Sequence, residues 1–392
     1  MEQQFNRTWA EINLDCLTHN FREFTKIIAP HQQKVKIMGV VKANAYGHGA
    51  IEISRALLDS GADYLAVASL DEAIELRRAT ITSPLLILGY VNPSRVEEIL
   101  KYDLTQTVYE ESLANALSDA AVKSGKRVRI HVKIDTGMTR IGVNLNEAKN
   151  FILKIAKLPN IELEGMFTHL ATADESDGSY THMQFERYLC LAEELKHNGL
   201  EIPIKHVCNS AGAINYPHMH LDMIRPGISL YGCYPSAEVS RDKIDLKPVM
   251  SLKTEVIRVN EVQPGVRISY GGIFTTKRKS RIATLPVGYA DGFNRTLTGK
   301  ASVLINGQYA PIVGKICMDQ CMADITDLSD RVRIGDEVVL FGKQKENEIL
   351  TDDLASSIGT INYEITCNVA RRIPRYYIKD GKFTGIENYL LG

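Results

Sequence analysis

Residues 36–49 read KIMGVVKANAYGHG, an apolar run that ends in Lys42 and is followed by a tyrosine set between small residues. The segment Lys36–Val41 has the length and composition of a buried strand. That reading places Lys42 at the strand's C-terminal end. An isolated ammonium is costly there unless it is paired, neutralised or consumed by chemistry. Working outward, similar short runs recur at Tyr64–Ala68, Leu85–Leu88, Gln106–Val108, Val128–Ile134, Glu162–Phe167, Ile204–Val207 and near Met223–Arg225. Helical patterns lie between them. Ser69 and Glu72 form a capping-box pattern, and Asn92-Pro93 supplies an N-cap with proline at the first helical position. The segment Tyr180–Asn198 carries Phe185, Tyr188, Leu189 and Ala192 as an apolar stripe.

Strands separated by helices imply parallel crossovers, and eight of them predict a (β/α)₈ barrel of the TIM type. An open, doubly wound sheet is the competing arrangement. The dinucleotide fingerprint that often accompanies such sheets is missing, because Gly47-His48-Gly49 has no glycine three residues on. No phosphate loop of the GxxxxGK type occurs either. From about Leu246 the texture changes to short β-rich runs: Leu252–Val259, Arg281–Val287, Ala301–Ile305, Ala310–Ile316 and Glu337–Phe341. Asn306-Gly307 is a hairpin signal, and one short helix is expected after Thr351. The chain therefore reads as a barrel domain over 1–245 and a mostly β domain over 246–392. A first strand near 8–14 is free to pack with the second domain.

At 392 residues, 44% hydrophobic and 24% charged, the chain has the composition of a globular protein with ample core. A formal net charge of −1 provides no global field for nucleic acid or an anionic membrane. The N-terminus lacks the basic and apolar regions of a signal peptide, and no apolar run approaches the roughly 20 residues of a membrane span. Seven scattered cysteines do not look like a disulfide framework. Cys317 and Cys321 lack a second ligand pair for zinc, so no metal is expected and a cytoplasmic location is.

In a (β/α)₈ barrel, chemistry sits at the C-terminal ends of the strands. Lys42, Arg140, His169, Asn209-Ser210 and Arg225-Pro226-Gly227 all follow predicted strands and so face one mouth. The loops after the seventh and eighth strands are a frequent phosphate site in this fold. Ser210 offers a hydroxyl there, although it could equally cap a helix, and Gly227 lets backbone N–H groups approach an anion. A phosphate on one side and a lysine on the other suggest a phosphorylated aldehyde held as a Schiff base, for which pyridoxal phosphate is the obvious candidate. Taken alone, a lysine at a strand end is more often salt-bridged or snorkelling.

Together these residues closely resemble the alanine racemases. The resemblance runs nearly end to end: TWAEINLDCLTHN, VVKANAYGHGA, HVKIDTGMTRIG, GMFTHLATAD, HVCNSAGAI, RPGISLYG, ISYG, VGYADGFNR, GKICMDQCM and GTINYE, in that order. It implies a homodimer with shared active sites that interconverts L- and D-alanine, supplying D-alanine for peptidoglycan. Pyridoxal 5′-phosphate would be held by Lys42, with Tyr46, Ser210, Gly227, Ile228 and Tyr363 around its phosphate. Arg225 would face the pyridine nitrogen. A guanidinium does not exchange protons near neutrality, so the ring is a weaker electron sink, which favours racemisation over transamination.

The resemblance also implies two bases, Lys42 and Tyr289 of GYADG from a second subunit, with Tyr289, His169 and Arg225 in a hydrogen-bonded chain. Arg140 and the backbone N–H of Met318 would bind the substrate carboxylate. Lys133 matches a position that is carbamylated in some members. Asp174, Tyr289 and Tyr363 correspond to the corridor by which substrate enters. Lys315 departs from the arginine common before ICMDQ and loses its planar fork. A racemase for serine or a broader set, and a non-catalytic pyridoxal-phosphate binding protein, are the alternatives. Of the remaining motifs, His218-Met219-His220 reads as a solvated loop and Tyr376-Tyr377 as β-domain packing.

Overall fold

The computed structural model describes residues 7–31 and 34–391, and the leader expectation falls partly on residues 1–6, outside them. The described residues fall into two compact units, those within 17–45 and 50–247 and those within 1–16, 46–49 and 248–392.

The larger unit holds eight parallel strands: Lys36–Val40, Tyr64–Val67, Leu85–Ile87, Thr105–Val108, Val128–Asp135, Ile161–Phe167, Ile204–His206 and Met223–Ile224. Each pairs with the next through the seventh, and the eighth pairs with the first. Closure between the seventh and eighth rests on two backbone bonds, Asp222 N–H to the Lys205 carbonyl (3.1 Å) and Arg225 N–H to that of Cys208 (3.0 Å). The expected barrel forms, with every strand within a residue or two of its predicted position. Its strands are short, buried runs such as LLI and YLAV, because helices cover the outer face. Helix Ala50–Asp59 buries Ala50, Ile53, Ser54 and Leu57 against the sheet. Gly39 permits that approach, since a Cβ there would lie 2.9 Å from Leu57 Cδ1. The Ser69–Glu72 capping box is present at helix Leu70–Arg78.

In the smaller unit a mixed sheet runs in the order Gln308–Pro311, Ser302–Ile305, Glu337–Gln344, Met250–Glu255, Thr8–Asn13, Arg375–Lys379, Lys382–Glu387. The N-terminal strand thus lies between Met250–Glu255, antiparallel, and Arg375–Lys379, parallel. Three expectations are corrected here. The single strand Leu252–Val259 is two strands, Met250–Glu255 and Arg258–Val262. At the junction Val256 pairs with Gly335 and Asp336, and Ile257 turns to Thr284, so the chain changes sheets. Ala310–Ile316 ends as a strand at Pro311, ahead of a positive φ (70°) at Gly314. A second helix, Asn362–Cys367, follows Thr351–Ile358. The Asn306-Gly307 hairpin forms, with both residues at positive φ.

Candidate active site

Lys42 follows the first barrel strand and opens a turn of unusual hand. Ala43, Asn44, Ala45 and Tyr46 all lie in the left-handed region, with φ of 52–54°. Such a run of non-glycine residues costs roughly 1–2 kcal/mol per residue. Three bonds hold it: Ala45 N–H bonds the Val41 carbonyl, Asn44 Oδ1 accepts from Ala50 N–H, and Glu72 Oε1, from a separate helix, accepts from Ala43 N–H at 2.7 Å. The same Glu72 closes the capping box, so one carboxylate serves a helix start and the lysine turn. Strain of this kind collects at functional sites.

At the same end of the barrel, Lys133 lies in the fifth strand, His169 follows the sixth and Arg225 follows the eighth. Arg225 is buried, with its Cζ 5.3 Å from the centre of the Phe167 ring; Lys133 Nζ stands 5.1 Å from the same ring. His206 stacks on Phe167 with ring centres 4.8 Å apart. Arg225 Nη1 donates to His206 Nδ1 (3.0 Å), and Nη2 donates to the carbonyls of Thr168 (2.8 Å) and Val207 (3.0 Å). Its Nε–H and one Nη1–H have no hydrogen bond among the described residues.

Burial, then Arg225 and Arg140, push the Lys133 ammonium down to about 7. Burial, then Arg225, Lys133, Arg140 and Lys42, hold the His169 imidazole well below its ordinary value. Arg140 itself is exposed at the mouth. Among the described residues no carboxylate comes within ion-pair distance of Lys133, Arg140 or Arg225. A cationic mouth of this kind calls for anions.

Ser210 begins helix Ser210–Asn215, but Asn209 is its cap, accepting from Gly212 N–H. Ser210 Oγ instead accepts from the backbone N–H of Gly227 (2.9 Å) and Ser229 (3.4 Å). With both acceptor positions used, the hydroxyl keeps its own hydrogen to donate. Ser229 Oγ, in the same turn, is buried without a partner among the described residues. The adjoining Ile228 is also buried. Asp174 is partly exposed, and its carbonyl accepts from Ser236.

In the smaller unit Tyr46 is buried and its ring lies 6.1 Å from that of Tyr363. Burial, then Tyr363, keeps the Tyr46 phenol protonated. Tyr289 begins a tight turn fixed by Tyr289 N–H to Cys317 O and Ala290 N–H to Met318 O, both 3.0 Å. The rest of GYADG has a packing explanation. Buried Asp291 binds Gly288 N–H and Arg372, and a Cβ at Gly288 would meet Cys317 O at 2.3 Å.

The neighbouring ISYG has no such explanation. Tyr270 is 73% exposed, against 42% for Tyr289. It follows Ser269, whose φ 64°, ψ −175° is a conformation rarely tolerated outside glycine. Ser269 Oγ donates to the Lys315 carbonyl (2.7 Å), and Lys315 Nζ would lie 3.3 Å from a Cβ at Gly271. An exposed tyrosine is thus presented on a strained loop.

Sequence reasoning missed Tyr270, Phe167, His206 and the left-handed turn, although ISYG and HVCNSAGAI carry two of them. It also misread His218-Met219-His220. Met219 and His220 are buried, and His220 bonds His31 (2.8 Å) and the Ala213 carbonyl (2.8 Å). Tyr376 and Tyr377 pack in the small unit as expected.

Two family models match the chain, the alanine racemase N-terminal domain over residues 12–235 and its C-terminal domain over 249–377. An alanine racemase from Clostridium tetani is 47% identical over 392 residues, all of both chains. The solved alanine racemase of Clostridium difficile 630 superimposes with a TM-score of 0.94 at 44% identity, covering 99% of this chain and 100% of that one. That from Bacillus anthracis, with bound L-Ala-P, gives a TM-score of 0.91 at 37% identity, covering 99% of each.

Proposed function

The chain belongs to the alanine racemase family, and from that premise we propose that it interconverts L- and D-alanine at the barrel mouth with pyridoxal 5′-phosphate. The observation that carries the reading is the set of basic groups Lys133, Arg140 and Arg225 at this end of the barrel, with no carboxylate against them among the described residues. A phosphorylated cofactor and a carboxylate substrate are the anions that would complete it. The residues fit that cofactor. Lys42 would hold it through its amine, the Ser210 hydroxyl and the turn at Gly227–Ser229 would meet its phosphate with Tyr46 and Tyr363, and the uncommitted N–H groups of Arg225 would face its ring nitrogen. When bound, the cofactor supplies an electron sink that weakens the bond between the substrate's α-carbon and its hydrogen.

The chain's own groups do the rest. Arg140 and the Met318 N–H would hold the substrate carboxylate. Lys42, once its amine is free, takes or returns the proton on one face. A tyrosine of the small unit of a partner subunit serves the other, with His169, kept neutral by burial and then by its basic neighbours, able to accept the phenol's hydrogen bond. Exposure and loop strain favour Tyr270 for this base over Tyr289, which stays with Asp174, Lys315 and Tyr363 along the access corridor. The near-neutral Lys133 amine is suited to add carbon dioxide, losing a proton, and to orient Arg140 as a carbamate. A 13C-bicarbonate NMR resonance that disappears in Lys133→Met would report this. The enzyme works as a homodimer in the cytoplasm. That location is supported by seven free cysteines and, among the described residues, by the absence of a helix long and apolar enough to cross a membrane.

The test is α-proton exchange and racemisation of alanine, serine and larger amino acids with pyridoxal phosphate added. Failure of alanine to turn over in either direction removes the proposal. Preference for serine would redirect it to the broader racemases, and no turnover at all to a binding protein. Tyr270→Phe should slow exchange from L-alanine by roughly 10²-fold or more, leaving exchange from D-alanine less affected. Tyr289→Phe should cost less than about tenfold. The reverse ranking would return the base to Tyr289.

A further inference from the structure

The barrel interior carries a line of polar side chains where branched aliphatics are usual. Tyr64 of the second strand donates its hydroxyl to Glu164 Oε1 (3.0 Å), on the opposite side of the barrel. Glu164 Oε2 lies 2.9 Å from His131 Nε2, His131 Nδ1 lies 2.8 Å from His206 Nε2, and His206 Nδ1 lies 3.0 Å from Arg225 Nη1. These groups belong to five different strands or strand ends, so they meet only across the interior. The backbone is shaped for them. The sixth strand bulges at Glu164, because Ile130 and His131 pair with Leu163 and Gly165 and leave Glu164 as the extra residue. Gly165 then makes room, since a Cβ there would stand 2.6 Å from the His131 ring.

The two ends of this line have fixed roles. A guanidinium only donates, and an ionised carboxylate only accepts. Three contacts join them through two imidazoles. Arg225 donates to His206 Nδ1, so His206 must carry its hydrogen on Nε2 and donate it to His131 Nδ1. His131 must then carry its hydrogen on Nε2 and donate it to Glu164. Each ring has one N–H and one acceptor, every contact is satisfied, and any additional proton would set one N–H against another.

We infer that Arg225 and Glu164 are the ends of one directional hydrogen-bond chain, with His206 and His131 both neutral Nε2–H tautomers, and that Glu164 is thereby a positioning residue for Arg225. The chain supplies a counter-charge to a buried guanidinium without placing a carboxylate on it, so the donors of Arg225 at the mouth stay uncommitted. Burial and neighbouring basic groups act in the same sense: burial, then Arg225, His131 and Lys133, at His206, and burial, then Arg225 and Lys36, at His131, hold both rings below their ordinary values, against the pull of Glu164 on His131. Burial raises Glu164, but its bond from His131 and those that follow leave it below the usual carboxylate range. The inference concerns side chains of this chain alone and stands whether or not Arg225 faces a cofactor.

Histidine labelled with 15N in both rings, followed by long-range proton–nitrogen NMR on the holoenzyme, tests it. Loss of signals in His131→Gln and His206→Gln assigns the two rings. Both should be neutral, protonated at Nε2, and unchanged between pH 6 and 9. A ring protonated at Nδ1, or at both nitrogens, overturns the chain. In Glu164→Gln the amide oxygen can still accept, so the tautomers persist, but the weaker acceptor should shift both rings, including His206, which does not touch Glu164. An unshifted His206 overturns the positioning role. If Glu164→Gln does not fold, Tyr64→Phe removes the hydrogen bond donated to the carboxylate, leaves it a stronger acceptor, and should shift both rings in the opposite sense and by less; an unshifted His206 is decisive there too. Accompanying kinetics should show kcat reduced roughly tenfold with KM within about twofold.

Discussion

Among the described residues two arginines are buried, one in each unit, and they are used in opposite ways. Arg375 of the small unit bonds four backbone carbonyls, those of Gly47, Val369, Ala370 and Ile373, through Nε and both terminal nitrogens. Arg225 of the barrel makes three bonds, one to an imidazole and two to carbonyls, and keeps two N–H groups unspent. The first is a structural staple that spends four of its five N–H groups on the backbone. The second holds its place with part of its fork and leaves the remainder for something else. A buried cation is thus no signal of function until its donors are counted.

The strongest way to break this contrast is to exchange the expected consequences. Arg375→Met leaves four carbonyls unpaired and should cost roughly 3–5 kcal/mol in urea unfolding, with specific activity preserved in the folded fraction. Arg225→Lys should do the reverse, lowering kcat by roughly 10²–10³-fold for a stability loss of about 1–2 kcal/mol. Equal losses of stability would erase the distinction.

Lys133 sharpens it, since it shares the Phe167 ring with Arg225 but can give up its proton. Its folded pKa of about 7 lies below the ordinary lysine value of about 10.5. Between those values the unfolded chain binds a proton that the folded one does not, so this residue makes stability rise with pH. Below about 7 both states are protonated and the penalty is constant. Lys133→Met should therefore stabilise most at pH 7 and progressively less towards pH 10, read from melting temperatures of wild type and variant. A difference independent of pH would show a lysine that stays charged. Lys315→Arg, which adds a fork where the side chain is partly exposed, should change kcat/KM by less than about threefold.

Much of this was legible in the sequence, for identifiable reasons. The barrel strands are short apolar runs punctuated by capped helices, and both signals are local. The strand-end rule then located Lys42, His169, Ser210 and Arg225 without side-chain coordinates. What escaped depends on groups brought together from afar. The split of Leu252–Val259 is decided by partners near residues 335 and 284. Glu164, His131 and His206 read as ordinary strand residues until a bulge turns one of them inward. His220 looked solvated because its acceptor, the Ala213 carbonyl, and its neighbour His31 are not evident from HMH. Tyr270 and Tyr289 sit in equally conspicuous motifs, and only exposure and backbone strain separate them.

The left-handed turn that follows Lys42 also constrains the order in which the molecule assembles. Four residues at roughly 1–2 kcal/mol each amount to a large share of a typical domain's net stability. No local preference would hold Ala43–Tyr46 in that shape during collapse. The first strand and helix Leu70–Arg78, which brings Glu72 to Ala43, must be in place before the turn is worth making. Lys42, proposed above to hold the cofactor, is therefore set late, and a chain that has closed its barrel without this turn would be compact and nearly native by its helix content, with the proposed cofactor site unformed.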